Sequence, residues 1–369
     1  HIAVFRLAGL LQGSVYQYQI FVGDRAVRDE PYRLRTRPIW RWRTEPPTLR
    51  FVAGSCLYVN DPPFNRPGEP YGGEYEILDA IAETSPDLML WLGDNVYMRA
   101  EEWATPEGIA YRYRFDRSTP PLQRLLASTS HLAIWDDHDY GPNDSDWTFH
   151  QKEAALAVFD RYWLNPSAGA PGPNNGIYTR YVIGDVEFFL LDNRWFRSPN
   201  DVPESDSSKQ MFGEQQLDWL LDGLTSSTAR VKIVAAGGQF LSEVNHYEAF
   251  QEYPSERGRF LRTLTERGID GVVLLSGDRH FGELNRLPRG GTYPLYELTT
   301  SPLTSGAFYP EQELDNPLRV EGTLVSERNF ARIELTGPGA ARRLTLALHN
   351  VEGEPIWTRE IPVSELELE

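Results

Sequence analysis

Six short apolar runs, at 51–53, 88–92, 132–135, 186–191, 231–236 and 271–275, all end in the same kind of residue. Gly54-Ser55-Cys56 follows the first, Gly93-Asp94-Asn95-Val96-Tyr97 the second, and Asp136-Asp137-His138-Asp139 the third. Asp192-Asn193-Arg194, Gly237-Gly238-Gln239 and Gly277-Asp278-Arg279-His280 follow the other three. Runs of this length read as buried strands. Helix-like segments at 75–83, 152–163, 213–224 and 255–267 lie between them. Strands alternating with helices predict a layered α/β fold. In such folds ligands bind beyond the carboxyl ends of strands, and glycine there lets backbone come close. One Gly-Asp is an ordinary turn; the same ending six times points to a shared site.

The third ending is the most demanding. Asp136, Asp137 and Asp139 crowd three carboxylates into four positions directly after an apolar run. Crowded carboxylates repel and resist burial unless water or a cation neutralises them. The pooled donors are one thiol, several carboxylates, Tyr97, His138, His280 and Gln239. A structural zinc site wants four cysteines and histidines, which this set lacks. No Gly-x-Ser-x-Gly nucleophile elbow is found. A carboxylate-heavy mixture suits a multinuclear metal site for hydrolysis. The formal net charge of −17 argues against a general binder of nucleic acid or anionic membrane. It leaves an anionic substrate open, since bound cations reverse the local field.

The 369 residues allow one large domain, or one large and one small. Residues 1–45 alternate in a strand-like way, at 4–7 and more clearly at 15–22. The stretch 7–18 resembles the late strands and tyrosine corner of a fibronectin type III sandwich. Glu45-Pro46-Pro47 reads as a linker, giving a partial β domain over 1–47 and a catalytic domain over 48–369. From Tyr293 the pattern returns to strands, as at 342–348. Cys56 is the single cysteine, so no intrachain disulfide forms. No signal peptide and no spanning apolar run is present; the opening His1-Ile2-Ala3-Val4-Phe5 reads as a trimmed or mature form.

Each residue also has a bland reading. Asp94 suits a turn, Cys56 an inert core thiol, and Tyr97 ordinary packing. In extended backbone Asp137 and Asp139 face one way and Asp136 and His138 the other, so the four would not share one ion. Asp136 and Asp139 then read as supporting or capping groups. By the same argument Asp278 and His280 face one site together. Asn143, Asp144 and Asp192 are candidates for supporting the acidic side. Arg194 suits a substrate phosphate or a salt bridge equally. His246 is a candidate for the rim, and His1, His131, His150 and His349 read as structural or surface residues.

Taken in order, Gly54-Ser55-Cys56, Gly93-Asp94-Asn95-Val96-Tyr97, Trp135-Asp136-Asp137-His138-Asp139 and Ser276-Gly277-Asp278-Arg279-His280 resemble the alkaline phosphatase D (PhoD-like) family of calcineurin-like metallophosphoesterases. The resemblance covers about 48–345. It implies a four-layer αββα sandwich preceded by a small antiparallel β piece. It implies an Fe(3+) site from Asp94, Tyr97, His280 and Cys56, with Asp94 bridging, and Ca(2+) held with Asp137 and Asp278. These two aspartates stand where the wider superfamily has asparagine and histidine, and oxygen donors suit calcium better than zinc. Gln239 stands about where a further ligand histidine is expected. His138 matches the histidine that lies near the phosphate and protonates the leaving oxygen. The implied activity is hydrolysis of phosphate monoesters or diesters by a metal-activated water, in an exported protein.

Two other readings stay open: a phosphotriesterase on the same site, and a catalytically inactive, calcium-stabilised binding module. The expected substrate is a phosphate-ester small molecule or polymer. Its choice is assigned to loops at 60–75, 98–118 and 198–212, expected to be long and irregular.

Overall fold

The computed structural model describes residues 2–38, 40, 44–65, 67–166, 176–244 and 247–368. The candidate rim residue His246 lies outside them. The chain opens with two small antiparallel pairs: β1 (Val15–Tyr18) with β4 (Tyr32–Arg35), and β2 (Phe21–Val22) with β3 (Arg25–Ala26). Residues 4–7, expected as a strand, are irregular, and the expected strand over 15–22 breaks after Tyr18. Val4, Phe5 and Leu7 are exposed, so alternation there has no packed face to serve. The Tyr16 hydroxyl accepts from the Leu11 N–H at 2.6 Å, the backbone contact that a tyrosine corner makes.

The main body follows from β5 (Leu49–Gly54), α1 (Glu76–Glu83), β6 (Leu88–Leu92), α2 (Pro106–Asp116), α3 (Pro120–Ser128), β7 (His131–Ile134), α4 (Asp137–Tyr140) and α5 (Lys152–Tyr162). Next come β8 (Thr179–Ile183), β9 (Val186–Leu190), α6 (Glu214–Ser226), β10 (Val231–Ala235), α7 (Pro254–Glu266) and β11 (Val272–Ser276). The chain closes with β12 (Glu283–Leu287), β13 (Leu295–Thr299), β14 (Phe330–Thr336), β15 (Arg343–His349) and β16 (Pro355–Pro362).

These strands form two six-stranded mixed sheets, ordered β16-β15-β14-β5-β6-β7 and β12-β13-β11-β10-β9-β8. β5, β6 and β7 run parallel in the first; β9, β10, β11 and β13 run parallel in the second. β6, β9, β10 and β11 are buried at every position, which is why they read as largely apolar runs, broken only by Glu187 in β9, Lys232 in β10 and the terminal Ser276 of β11. The sheets face each other: Phe51 of β5 meets Phe188 of β9 edge-on, with ring centroids 5.1 Å apart. Helices cover the outer faces, as where Trp219 of α6 packs on Phe189 of β9. The result is the expected four-layer αββα sandwich with small antiparallel sheets ahead of it.

One expectation fails outside the sheets. The segment 98–118 contains helix α2, not an irregular excursion. Thr105 caps it by accepting from the Gly108 N–H, and Pro106 occupies its first turn. Beside Ile109 and Tyr113 it buries the charged Arg112 and Asp116. Fully buried Arg112 pairs with Asp61 at 3.1 Å, Glu102 at 2.7 Å and Asp116 at 3.2 Å. Apolar periodicity was therefore missing where the helix lies.

Candidate metal centre

Within each sheet the strands that deliver the predicted endings run parallel, so their carboxyl ends lie at one edge of that sheet. Glycines let the two sheets close at this end. A Cβ on Gly277 would lie 2.6 Å from the Ser55 side chain and 2.9 Å from the Leu92 carbonyl oxygen. A Cβ on Gly237 would run into the Asp136 carboxylate.

The backbone at the site is held in a conformation L-residues rarely adopt. Among the described residues six non-glycines have positive φ, and four of these are Cys56 (60°), Asp94 (52°), Asp278 (63°) and His280 (57°). A fifth is Asp144 (61°). Such positions cost about 1–3 kcal/mol each and cluster at functional sites. The extended geometry expected for Asp278 and His280 therefore does not hold. Both still line one cavity of about 540 Å³, with Asp94, Asp137, His138 and Asp144.

One group of donors gathers on Asp94. The Tyr97 hydroxyl donates to Asp94 Oδ2 at 3.1 Å and lies 3.2 Å from His280 Nε2. The Cys56 thiol is 3.6 Å from the same carboxylate oxygen. His280 Nδ1 donates to the Gly306 carbonyl at 2.6 Å, which leaves Nε2 as the nitrogen with a free lone pair. Cys56, Asp94 and His280 each offer an atom within 4.8 Å of the others. Tyr71, missed in the sequence, places its hydroxyl 3.2 Å from His280 Nδ1.

A second triad joins Asp94 to Asp137 and His138, and a third joins Asp137 to Asp144 and Glu248. Asp94 and Asp137 are thus each shared, as bridging groups are. Asp278 lines the cavity but stands outside these close triads. Glu248 escaped the sequence reading because no apolar run ends at it. Its carboxylate already meets Arg194 at 2.6 Å and Arg197 at 2.8 Å, so it faces the cavity with its charge largely balanced.

The stretch 136–139 is not extended either. Asp136 is extended and Asp137–Tyr140 form a single helical turn, α4. The turn brings Asp137 and His138 to the cavity side together. Asp136 faces inward, accepting from Asn193 at 2.7 Å and Arg194 Nε at 2.5 Å. Asp139 accepts from the backbone N–H groups of Asp136 and Asn95, both at 3.0 Å. These are the supporting roles expected of that pair. The His138 ring packs on Tyr97, with centroids 4.2 Å apart.

Three candidates serve the scaffold. Asp192 accepts from Trp135 Nε1 at 2.7 Å and from the N–H groups of Ile177, Arg194 and Trp195. Gln239 is tied into the second sheet, where its Nε2 donates to Glu283 at 2.8 Å and Thr299 at 3.0 Å. Arg194 forms the buried salt bridge rather than an open phosphate contact.

Electrostatics test whether cations fit here. Burial, then the neighbouring Asp137 and Cys56, push Asp94 well above the ordinary carboxylate range. Burial and Asp136 push Asp278 up to about 7. Burial and Asp278 push the Cys56 thiol up to about 12, and burial with Asp94 raises Tyr97. Burial also raises Asp137, but the positive charges of His138 and Arg194 outweigh it and hold this group low. Without added positive charge, burial and mutual repulsion disfavour the ionised forms of Asp94, Asp278, Cys56 and Tyr97. Mixed S, N and O donors converging without enough positive charge suit bound cations.

Fold and site together define a metallophosphoesterase-type sandwich. The chain belongs to the PhoD-like phosphatase family, whose model matches residues 51–340. A relative from Bacillus subtilis (strain 168), alkaline phosphatase D, is 23% identical over 323 residues. The match spans 74% of this chain and 52% of that protein, so the chain covers about half the length of this curated relative. The solved structure of PhoD superposes with a TM-score of 0.77 at 19% identity, covering 96% of this chain and 75% of that one. A purple acid phosphatase from yellow lupin (Lupinus luteus) seeds superposes at 0.65 with 11% identity, covering 96% and 60%.

Proposed function

We propose that this chain hydrolyses phosphate monoesters or diesters at the carboxylate-lined cavity, using iron and calcium. The observation that carries the reading is the gathering of Cys56, Asp94, Tyr97 and His280, and of Asp94, Asp137 and His138, beside a cavity that Asp278 also lines. The thiolate, phenolate and imidazole donors suit Fe(3+), and the oxygen-rich side, extended by Asp144, suits Ca(2+). Cations held there supply charge neutralisation for a bound phosphate and lower the pKa of a water.

The chain's own residues do the rest. Asp94 and Asp137 each belong to two of the donor groups and so tie the halves of the site together. The Gly306 carbonyl fixes the His280 tautomer. His138, half-buried at the cavity wall, donates a proton to the departing oxygen. Arg194 holds Asp136 and Glu248 in place without leaving the core. Phosphotriester hydrolysis remains the alternative substrate class for the same residues.

We also propose that residues 1–47 form a separate partial β domain, and that the protein works outside the cytoplasm, as the family likeness implies. No helix among the described residues is long and apolar enough to cross a membrane.

The test is elemental analysis of protein purified without added metal, with turnover of bis-p-nitrophenyl phosphate and p-nitrophenyl phosphate. Near-stoichiometric iron and calcium are expected, with activity lost on calcium removal and restored by its return. Zinc or manganese would overturn the assignment of Cys56, Tyr97 and Asp278. Absence of turnover with calcium bound would favour the calcium-stabilised binding module. Replacing Tyr97 with Phe should abolish any visible tyrosinate-to-iron band; a surviving band would remove Tyr97 from the ligand set.

A further inference from the structure

We infer that Tyr247, Phe308 and Tyr309 form a subsite for an uncharged, ring-bearing organic group attached to the phosphate; the inference rests on the proposed hydrolase reading. A second cavity of about 390 Å³ lies beside the metal cavity, and Tyr247 and Phe308 line both. A phosphate seated among the carboxylates can therefore extend its organic group between these two rings without leaving a continuous surface. The second cavity is large enough for a ring system.

Its walls state what fits. Tyr247, Phe308 and Tyr309 are 57%, 40% and 54% exposed, an unusual concentration of open aromatic surface. The rings of Tyr247 and Phe308 stand perpendicular, with centroids 6.2 Å apart, presenting a face and an edge. The Arg279 guanidinium lies 5.2 Å from the Tyr247 ring centre and pairs with Glu313 at 2.5 Å, which fixes the inner wall. Phe308 is tied to the site, since its N–H donates to the His280 carbonyl at 2.7 Å. Glu311, Gln312 and Glu313 form the polar side of the cavity. Arg279 neutralises Glu313, but the Glu311 carboxylate opposes a second phosphate, so the group that fits is neutral and flat.

The test compares phenylphosphonate with methylphosphonate by calorimetry on the metal-loaded protein, and bis-p-nitrophenyl phosphate with methyl p-nitrophenyl phosphate by steady-state kinetics. Wild-type protein should bind the phenyl compound roughly three- to tenfold more tightly and show the lower KM for the bis-aryl ester, the scale of one or two ring contacts. Tyr247→Ala and Phe308→Ala should bring both ratios toward one, with the bis-aryl effect falling on KM rather than kcat. Tyr247→Phe, which keeps the ring, should retain them. Equal affinity for the two phosphonates in the wild type, or ratios unchanged in both alanine variants, would overturn the subsite even with hydrolysis intact. Ring-dependent binding without turnover of either ester would leave the subsite standing and remove the hydrolase reading.

Discussion

Arg194 is the residue on which the acidic end of the molecule depends. It is buried and bonded to Asp136, which is buried as well, and to Glu248, which Arg197 also holds at the cavity. Arg194→Met should cost about 3–5 kcal/mol in urea unfolding, because it leaves the buried Asp136 without its cation. A loss below about 1 kcal/mol would show that Asp136 is not balanced by this guanidinium. His131 offers a pH-dependent counterpart. Burial lowers its pKa to about 4, and its Nδ1 accepts from Trp91 Nε1 at 3.0 Å. The unfolded chain binds this proton below about pH 6.5 and the folded chain only below about 4. Stability should therefore fall as pH drops through that window, by about 3 kcal/mol at most. His131→Asn keeps an acceptor for Trp91 and should flatten this slope in thermal melts at stepped pH. The residues proposed as ligands were legible in the sequence because each follows an apolar run. Glu248 and Tyr71 reach the cavity from loops, and nothing local marks such positions.

At the scale of elements, the strand ends matter more than the strands. Gly277 follows β11 and sits against Ser55 and the Leu92 carbonyl, so no side chain fits between the sheets there. Gly277→Ala should cost about 1–3 kcal/mol through overpacking. Gly290→Ala, with nothing within 4 Å of the added carbon, should change stability by less than about 0.5 kcal/mol in the same denaturation series. Equal effects at the two positions would refute the close approach of the sheets. Fully buried strands and amphipathic helices such as α1 announced themselves through apolar pattern. Helix α2 did not, since its buried face includes the Arg112 network. The turn at α4 was also hidden, because four consecutive polar residues read equally well as extended chain.

For the whole molecule, the sandwich brings carboxylates from strand ends of both sheets to one place, and their repulsion opposes the closure that packing favours. Removing bound metal with a chelator should lower the melting temperature by several degrees, as loss of any ligand specific to the folded state does. Returning the ion should restore it, and differential scanning calorimetry checks both steps. A chelated protein that melts unchanged would show the protein balancing its own charge. The six central strands were readable because each contributes a recognisable ending; their order within the two sheets comes from the structure. The arrangement of the 1–47 segment was not, because its apolar residues, such as Phe5 and Leu11, stay exposed and impose no face on their neighbours.

The left-handed backbone at Cys56, Asp94, Asp278 and His280 has a consequence for how this family can drift. While metal binding is under selection, the side chains must stay despite the strain. Once a lineage abandons the activity, glycine at any of the four relieves the strain by about 1 kcal/mol and removes a buried charge or polar group as well. Decay of the site is then favoured by folding itself, and its residue is a row of glycines at strand ends. A Cys56→Gly, Asp94→Gly or Asp278→Gly chain, freed of metal, should outlast the corresponding alanine variant on heating, and a reverted lineage would have to regain function against that gradient.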